Sequence, residues 1–423
     1  MAVPAHIASA IVSPKAYADF SIYDAYKWLR ANDPLGLVEH HRFEPFRVVT
    51  RYADVQKVSR QNDLFHNGPY SVLSPRASQQ KIRELTGGKG SFVKTLVDMD
   101  PPEHALYRGL TAGWFQPANL SKLETDMRAL ARSMVEEMAQ AGGKCDFVHQ
   151  IALLYPLRVI MQILGLPAKD EAMMLKLTQE MFGSTDPELN QRGGGSFNME
   201  VGDQEVDLTS LNEMVAYFND LTEERRKNPT GDLASFIANG QINGEPMPYM
   251  ETMGYYIITA TAGHDTTSSS TGGAMWALAE NPGEFRKLKD NPALLGSMLD
   301  EAIRWTTPVN NFMRTATADT EIAGTPIREG EWLMLCYGSA NRDETVFDDP
   351  DSFRVDRKPN RHLAFGYGNH LCLGQYLARM EMRILFEELL PRLESVELDG
   401  EPAMSEAVFV NGPKRLPIRF TMN

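Results

Sequence analysis

Apolar positions recur at helical spacing over most of the chain, and the pattern predicts a mainly α protein with a smaller β-rich part. Helices are expected over residues 23–31, 53–59, 118–140, 149–164, 168–182, 208–227, 291–306 and 375–390. Several carry their own stops: Gly142-Gly143 after the third, Gly165 and Pro167 after the fourth, Pro391 after the last. Short strand-like runs fall within 38–50. Alternating runs mark strands over 312–316, 321–322 and 332–337. Residues 66–95 hold Gly, Pro, Ser and Lys without periodicity and read as a long loop of the kind that lids a site. Residues 183–207 are Gly- and Asp-rich and equally irregular. Asp100-Pro-Pro-Glu103 reads as a helix start, with Asp100 at the N-cap and the prolines in the first turn.

The most unusual helix is expected over 248–281, bounded by Pro248 and Pro282. At ~1.5 Å per residue it would run about 50 Å, enough to cross the molecule. Its faces are mostly apolar or small, so it should be buried. Yet its middle, Ala262-Gly-His-Asp-Thr-Thr267, runs on through Ser268, Ser269, Ser270 and Thr271. Such a hydroxyl run in a buried helix either bonds back to the backbone or serves a site. Asp265 and Thr266 place a carboxylate beside a hydroxyl, with the small Ala262 one turn earlier.

Composition narrows the class. The net charge of −14 argues against a nucleic-acid or anionic-membrane partner. The three cysteines, Cys145, Cys336 and Cys372, are too few and too far apart for a disulfide framework, and a reducing cytoplasm fits them. There is no basic, apolar leader pattern at the N-terminus and no run of apolar residues long enough to span a membrane.

The candidate chemistry centres on Phe365-Gly-Tyr-Gly-Asn-His-Leu-Cys-Leu-Gly374. Its glycines suit a tight, backbone-exposed loop. Cys372 stands at the N-terminus of the 375–390 helix, where the dipole and free N–H groups favour a thiolate. Such a thiolate can be a nucleophile or a metal ligand; otherwise Cys372 is a buried cysteine in a glycine loop. Phe365 is placed to cover the sulfur, and Gly374 leaves room for something flat. His104 and Arg108, at i and i+4, either grip an anion or line an exposed helix face. Glu301 and Arg304, at i and i+3, can pair.

Together these strings resemble the cytochrome P450 family of haem-thiolate monooxygenases. The loop matches its Phe-Gly-x-Gly-x-His-x-Cys-x-Gly pattern, and the helix centre matches its Ala/Gly-Gly-x-Asp/Glu-Thr-Thr pattern. The match covers nearly the whole chain, implying one domain over 1–423. Around Ala262–Ser269 and Gly412–Phe420 it looks like the terpineol-hydroxylating bacterial branch. The resemblance implies that fold, with the long helix and the Cys loop sandwiching haem b and Cys372 as the iron ligand. It implies that His104, Arg108, Arg314 and His370 hold the propionates, with Ala262, Phe365 and Gly374 also at the cofactor. Asp265 and Thr266 would activate oxygen, the helix opening locally at 262–266. Glu301, Arg304 and Arg357 would form a structural cluster. Thr259, Val309, Phe312, Phe409 and Val410 would line the pocket for a terpene-like or aromatic hydrocarbon. Electrons would come from a 2Fe–2S ferredoxin and its NAD(P)H-dependent reductase, docking on a basic face with Arg108, Arg361 and Arg379. A cytoplasmic monomer is expected. The rival readings are a hydrogen-peroxide-driven peroxygenase and a non-enzymatic haem sensor.

Overall fold

The computed structural model describes residues 3–183, 185–189 and 208–423. The long helix, Tyr249–Glu280, forms its axis: 32 residues running without a break and mostly buried from Thr252 to Ala279. Helices Leu154–Leu164, Glu171–Phe182, Thr209–Lys227, Leu295–Thr306 and Gln375–Leu389 pack against it. Small residues on the long helix let its neighbours come close. A Cβ on Gly254 would sit 2.1 Å from the Lys94 carbonyl oxygen, so only glycine admits the 91–98 segment there.

Several hydroxyls along this helix bond back to the preceding turn, which lets much of a polar run sit in an apolar core, while Thr271 Oγ1 is buried without a partner among the described residues. Thr259 donates to Tyr255 O (2.7 Å), Thr261 to Ile257 O (2.7 Å), Thr266 to Ala262 O (2.8 Å) and Ser270 to Thr266 O (3.0 Å).

A five-stranded sheet flanks the helices, in the order Leu37–Val38, Phe46–Val49, Trp332–Cys336, Asn311–Ala316, Phe65–His66. Trp332–Cys336 runs parallel to Phe46–Val49 and antiparallel to Asn311–Ala316, with Arg314 opposite Leu333 and Phe312 opposite Leu335. Period-two alternation puts Phe312 and Arg314 on one face, toward the site. Near the C-terminus, Ala403–Met404 pairs with Pro413–Arg415, and the chain between them carries Phe409 and Val410. Val410 bridges to Val309.

Several expectations are corrected. Residues 66–95 are not all loop: Arg76–Thr86 is a helix, started after Pro75 and stopped by the left-handed Gly87. Asp100 does not cap its helix, which begins at Glu103; its carboxylate instead accepts the N–H groups of Asn67 (2.7 Å) and Gly68 (2.9 Å). The expected 118–140 helix is divided into Pro117–Leu120, a tight turn over Ser121–Leu123, and Glu124–Ala139. Pro282 starts a further helix, Pro282–Asp290. Another, Leu233–Ala238, is capped by Asp232, which accepts from Ser235 N (2.8 Å). The long helix does not open at 262–266; the Ala262 carbonyl is met there by the Thr266 hydroxyl. Of the irregular stretch 183–207, positions 184 and 190–207 lie outside the described residues.

Candidate active site

The Cys loop is shaped by two left-handed glycines, Gly366 (φ 71°) and Gly368 (φ 72°). Only glycine fits at 368, where a Cβ would lie 2.1 Å from Ser59 O. The loop closes on itself through Cys372 N–H donating to Phe365 O (2.8 Å) and delivers Cys372 just ahead of the helix Gln375–Leu389. Burial pushes the Cys372 thiol up, while N–H groups of Gly374 and Gln375 and the charges of Arg108 and Arg379 pull it down. Burial wins. A bound cation would favour the thiolate, in the same direction as these N–H groups and guanidinium charges.

Cys372 opens onto a cavity of about 250 Å³ that brings most of the candidate residues together. Ala262 and Thr266 of the long helix face it, as do Phe365 and Gly374 of the loop. Thr259, Val309, Phe312, Phe409 and Val410 line it as well, with Phe312 and Phe409 edge to face at 5.1 Å.

His104, Arg108, Arg314 and His370 also line it. The imidazoles of His104 and His370 lie 4.0 Å apart, and Nε2 of each is buried without a hydrogen-bond partner among the described residues. Burial, then the nearby Arg314, His104 and Arg108, push His370 down to about 2; burial and Arg108 push His104 down too. Both rings are therefore neutral. Arg314 is 3% exposed and donates to Met313 O (2.7 Å). Arg108 donates to Leu371 O (2.7 Å), tying its helix to the Cys loop. Two buried orphan ring nitrogens beside two guanidinium groups call for an anion.

Asp265 lies apart from this cavity. Its Oδ2 is buried without a partner among the described residues, and burial raises its pKa against the opposing pull of His264. It borders a second, smaller cavity of about 50 Å³ on another side of the helix. His264 is held by Leu153 O (2.9 Å) and Thr178 Oγ1 (3.1 Å), which suits an anchor and not a metal ligand.

Glu301, Arg304 and Arg357 form a buried cluster below the site. Arg304 meets both Glu301 oxygens (2.7 and 2.9 Å), and so does Arg357 (2.9 and 2.9 Å). Arg304 also donates to Asn341 O and Pro350 O, and Asn341 Oδ1 accepts from Leu363 N just ahead of the Cys loop.

Sequence reasoning passed over other cavity residues. Asn67 and Val72 belong to the stretch read as a lid, Leu96 and Val97 follow directly after it, and Tyr255 sits one turn before Thr259. Glu381 is the clearest omission: it is 1% exposed, Oε2 has no partner among the described residues, and burial pushes it well up. Its signal was legible, since it falls on the same helical face as Leu377, Ile384 and Leu385.

A thiol, an anion cradle and an apolar cavity joined along one long helix define a haem-thiolate enzyme. The chain belongs to the cytochrome P450 family, whose profile matches residues 71–420. It is 45% identical to cytochrome P450-terp of a Pseudomonas species over 421 residues, 99% of this chain and 98% of that protein. It is 30% identical to linalool 8-monooxygenase of Pseudomonas putida, over 96% of this chain and 97% of that one. The crystal structure of CYP108D1 from Novosphingobium aromaticivorans superposes with a TM-score of 0.90 at 44% identity, covering 100% of both chains. The protein is thus a haem-dependent monooxygenase with the cytochrome P450 fold; its cofactor is haem b, and it acts on a hydrophobic substrate with electrons from a redox partner. No helix among the described residues is long and apolar enough to cross a membrane.

Proposed function

We propose that this enzyme hydroxylates a small terpene-like or aromatic hydrocarbon, using O2 and two electrons from a 2Fe–2S ferredoxin and its NAD(P)H-dependent reductase. The carrying observation is the make-up of the main cavity. Cys372 and the histidine–arginine cradle share it with an apolar wall of Val309, Phe312, Phe409 and Val410. The names of the two Pseudomonas relatives point the same way, one being a linalool 8-monooxygenase.

In this reading Cys372 holds the haem iron through sulfur. His104, Arg108, Arg314 and His370 hold the propionates, satisfying the orphan ring nitrogens. Ala262 and Gly374 leave room for the ring, and Phe365 covers the sulfur. When bound, the haem-thiolate group supplies oxygen activation, the sulfur pushing electron density toward O–O cleavage. Thr266 holds a hydroxyl at the cavity wall, and Asp265, one residue away, supplies its protons. This acid–hydroxyl pair favours a reductase-driven monooxygenase over a peroxygenase or a sensor. The apolar wall orients the substrate and excludes water.

Residues 1–423 act as one domain, as a cytoplasmic monomer; the three cysteines, all unpaired, suit that compartment. Of the three arginines expected at the docking face, Arg108 is committed to the Cys loop and Arg379 to Asp300 (2.9 Å). Arg361 remains exposed. It is joined by Arg60, whose guanidinium lies 4.8 Å from the centre of the Tyr367 ring in the Cys loop.

The test is the reconstituted enzyme with a ferredoxin, its reductase and a panel of terpenes and aromatic hydrocarbons. Binding is read by the low- to high-spin shift, and product by mass. The parent should give the thiolate-type carbon monoxide band, and Cys372→His should abolish it. A band unchanged in that variant refutes the ligand assignment. Turnover with peroxide but with no ferredoxin favours the peroxygenase.

A further inference from the structure

Phe365, the ring of the Cys loop, is held by two side chains. The Arg379 guanidinium lies over its face, 4.4 Å from the ring centre, and the His362 imidazole lies 5.7 Å away at a 46° tilt. A cation over an aromatic face is attracted by the ring's quadrupole, so the pairing steadies both partners. Arg379 is anchored from behind as well. Its Nε donates to Asp300 Oδ1 (2.9 Å) on the neighbouring helix Leu295–Thr306. Its Nη1 donates to Gln375 Oε1 (3.3 Å), one turn earlier on its own helix.

Asp300 is fixed in turn by His362. Nδ1 of that ring accepts the N–H of Ala364 (3.3 Å), and burial pushes the imidazole down and keeps it neutral. Its proton is therefore on Nε2, which faces Asp300 Oδ1 at 3.6 Å. Burial works to raise Asp300, but His362 and Arg379 outweigh it and the carboxylate stays ionised. Phe365, Arg379, Asp300 and His362 thus form one connected set against the Cys loop. Arg379 lies outside the wall of the main cavity, so it does not touch what the cavity holds. Its charge still reaches Cys372, as that of Arg108 does. Arg108 has other work, at the Leu371 carbonyl and in the anion cradle.

We propose that Arg379, with Asp300 as its positioning residue, sets the reduction potential of the iron that Cys372 holds. The inference rests on the monooxygenase reading and deepens it. Reduction adds a negative charge to the iron–sulfur unit, and a fixed cation behind the ring over the sulfur favours the more negative state. The guanidinium therefore makes the iron easier to reduce, whether or not an electron donor is docked.

The test is the midpoint potential of the reconstituted holoenzyme, titrated with dithionite and mediator dyes and with no ferredoxin present. Arg379→Met keeps the stem and removes the charge. At the parent's midpoint its ferric-to-ferrous ratio should rise roughly tenfold, a fall of about 59 mV for one electron. Arg379→Lys retains a charge without the planar fork and should recover part of that shift. Arg383→Met removes a positive charge one turn further along the helix, from a group paired with Glu387 (2.9 Å), and should move the midpoint far less. Asp300→Ala frees the guanidinium into solvent, where it is screened, and should lower the midpoint as Arg379→Met does. A midpoint that rises in Asp300→Ala would show Asp300 acting by its own charge and overturn its positioning role. The thiolate-type carbon monoxide band should persist throughout, because the sulfur stays on the iron. An Arg379→Met enzyme with that band and the parent's midpoint overturns the proposal. Should Arg379→Met fail to take up haem, Arg379→Gln, neutral yet able to donate to Asp300, carries the same expectation. A parent without the band removes the monooxygenase reading and this inference with it. A parent with the band and variants of unmoved midpoint removes this inference alone.

Discussion

At the residue scale, the site combines buried polar atoms without a partner among the described residues, His104 Nε2, His370 Nε2 and Glu381 Oε2, with groups the fold holds in place. Thr266 gives its proton to Ala262 O (2.8 Å), so its oxygen is presented to the cavity by a fixed hydrogen bond. Thr266→Ala should keep NADH consumption within about twofold of the parent but divert most electrons to peroxide, since general-acid arrangements contribute at least about a hundredfold. Equal product per NADH in both enzymes would remove Thr266 from the oxygen chemistry. Glu381 makes a separate prediction in the apo protein. Burial raises its folded pKa, so between the ordinary carboxyl value and the raised one the folded state binds more protons than the unfolded state. Stability contributed there is present at low pH and is lost as pH rises, by about 1.4 kcal/mol per unit in that window. Glu381→Gln carries no such loss. The melting-temperature gap between variant and parent should therefore widen from pH 5 to pH 8, and a constant gap would show that Glu381 is ionised in the fold.

At the element scale, legibility followed periodicity. The long helix and the 375–390 helix were readable because their apolar faces repeat over many turns. The helix Arg76–Thr86 was not, because Ile82 is the one large hydrophobic residue it buries; its true signals were Pro75 and Gly87. Asp100 followed a sound capping rule, but Asn67 and Gly68 compete for the same carboxylate from a distant segment, and tertiary contact won. The Cys loop was readable because its string is long and specific; the separation of Asp265 from the cavity was not, because neighbours in sequence on a helix face about 100° apart. The contact at Gly254 carries this scale's prediction. Leu96 and Val97 of the 91–98 segment line the cavity, and the Lys94 carbonyl occupies the space of a Cβ. Gly254→Ala should push that segment outward, costing about 1–3 kcal/mol in denaturant unfolding. It should weaken substrate binding by the spin-shift titration while leaving the carbon monoxide band intact. Unchanged stability and affinity would mean the segment yields freely.

At the scale of the whole molecule, charge poses the remaining problem. A net charge of −14 would repel the acidic ferredoxin proposed as the partner, so on that proposal productive encounter would depend on a local basic patch beside the Cys loop. The fold has committed two of its arginines inward: Arg108 secures Leu371 O and Arg379 secures Asp300. The exposed Arg361 and Arg60 remain, Arg60 lying against Tyr367 of the loop itself. Rim charges act mainly on association and on its salt dependence. Arg361→Glu should therefore raise the KM for ferredoxin roughly tenfold, with kcat at saturating ferredoxin and the substrate spin shift close to the parent's. Added salt should slow the parent at limiting ferredoxin, because screening over about 8–10 Å removes the attraction. The variant has less attraction to lose and should show a shallower salt slope. If the two enzymes respond to salt alike, the partner docks elsewhere, and the exposed arginines beside the loop serve only the fold.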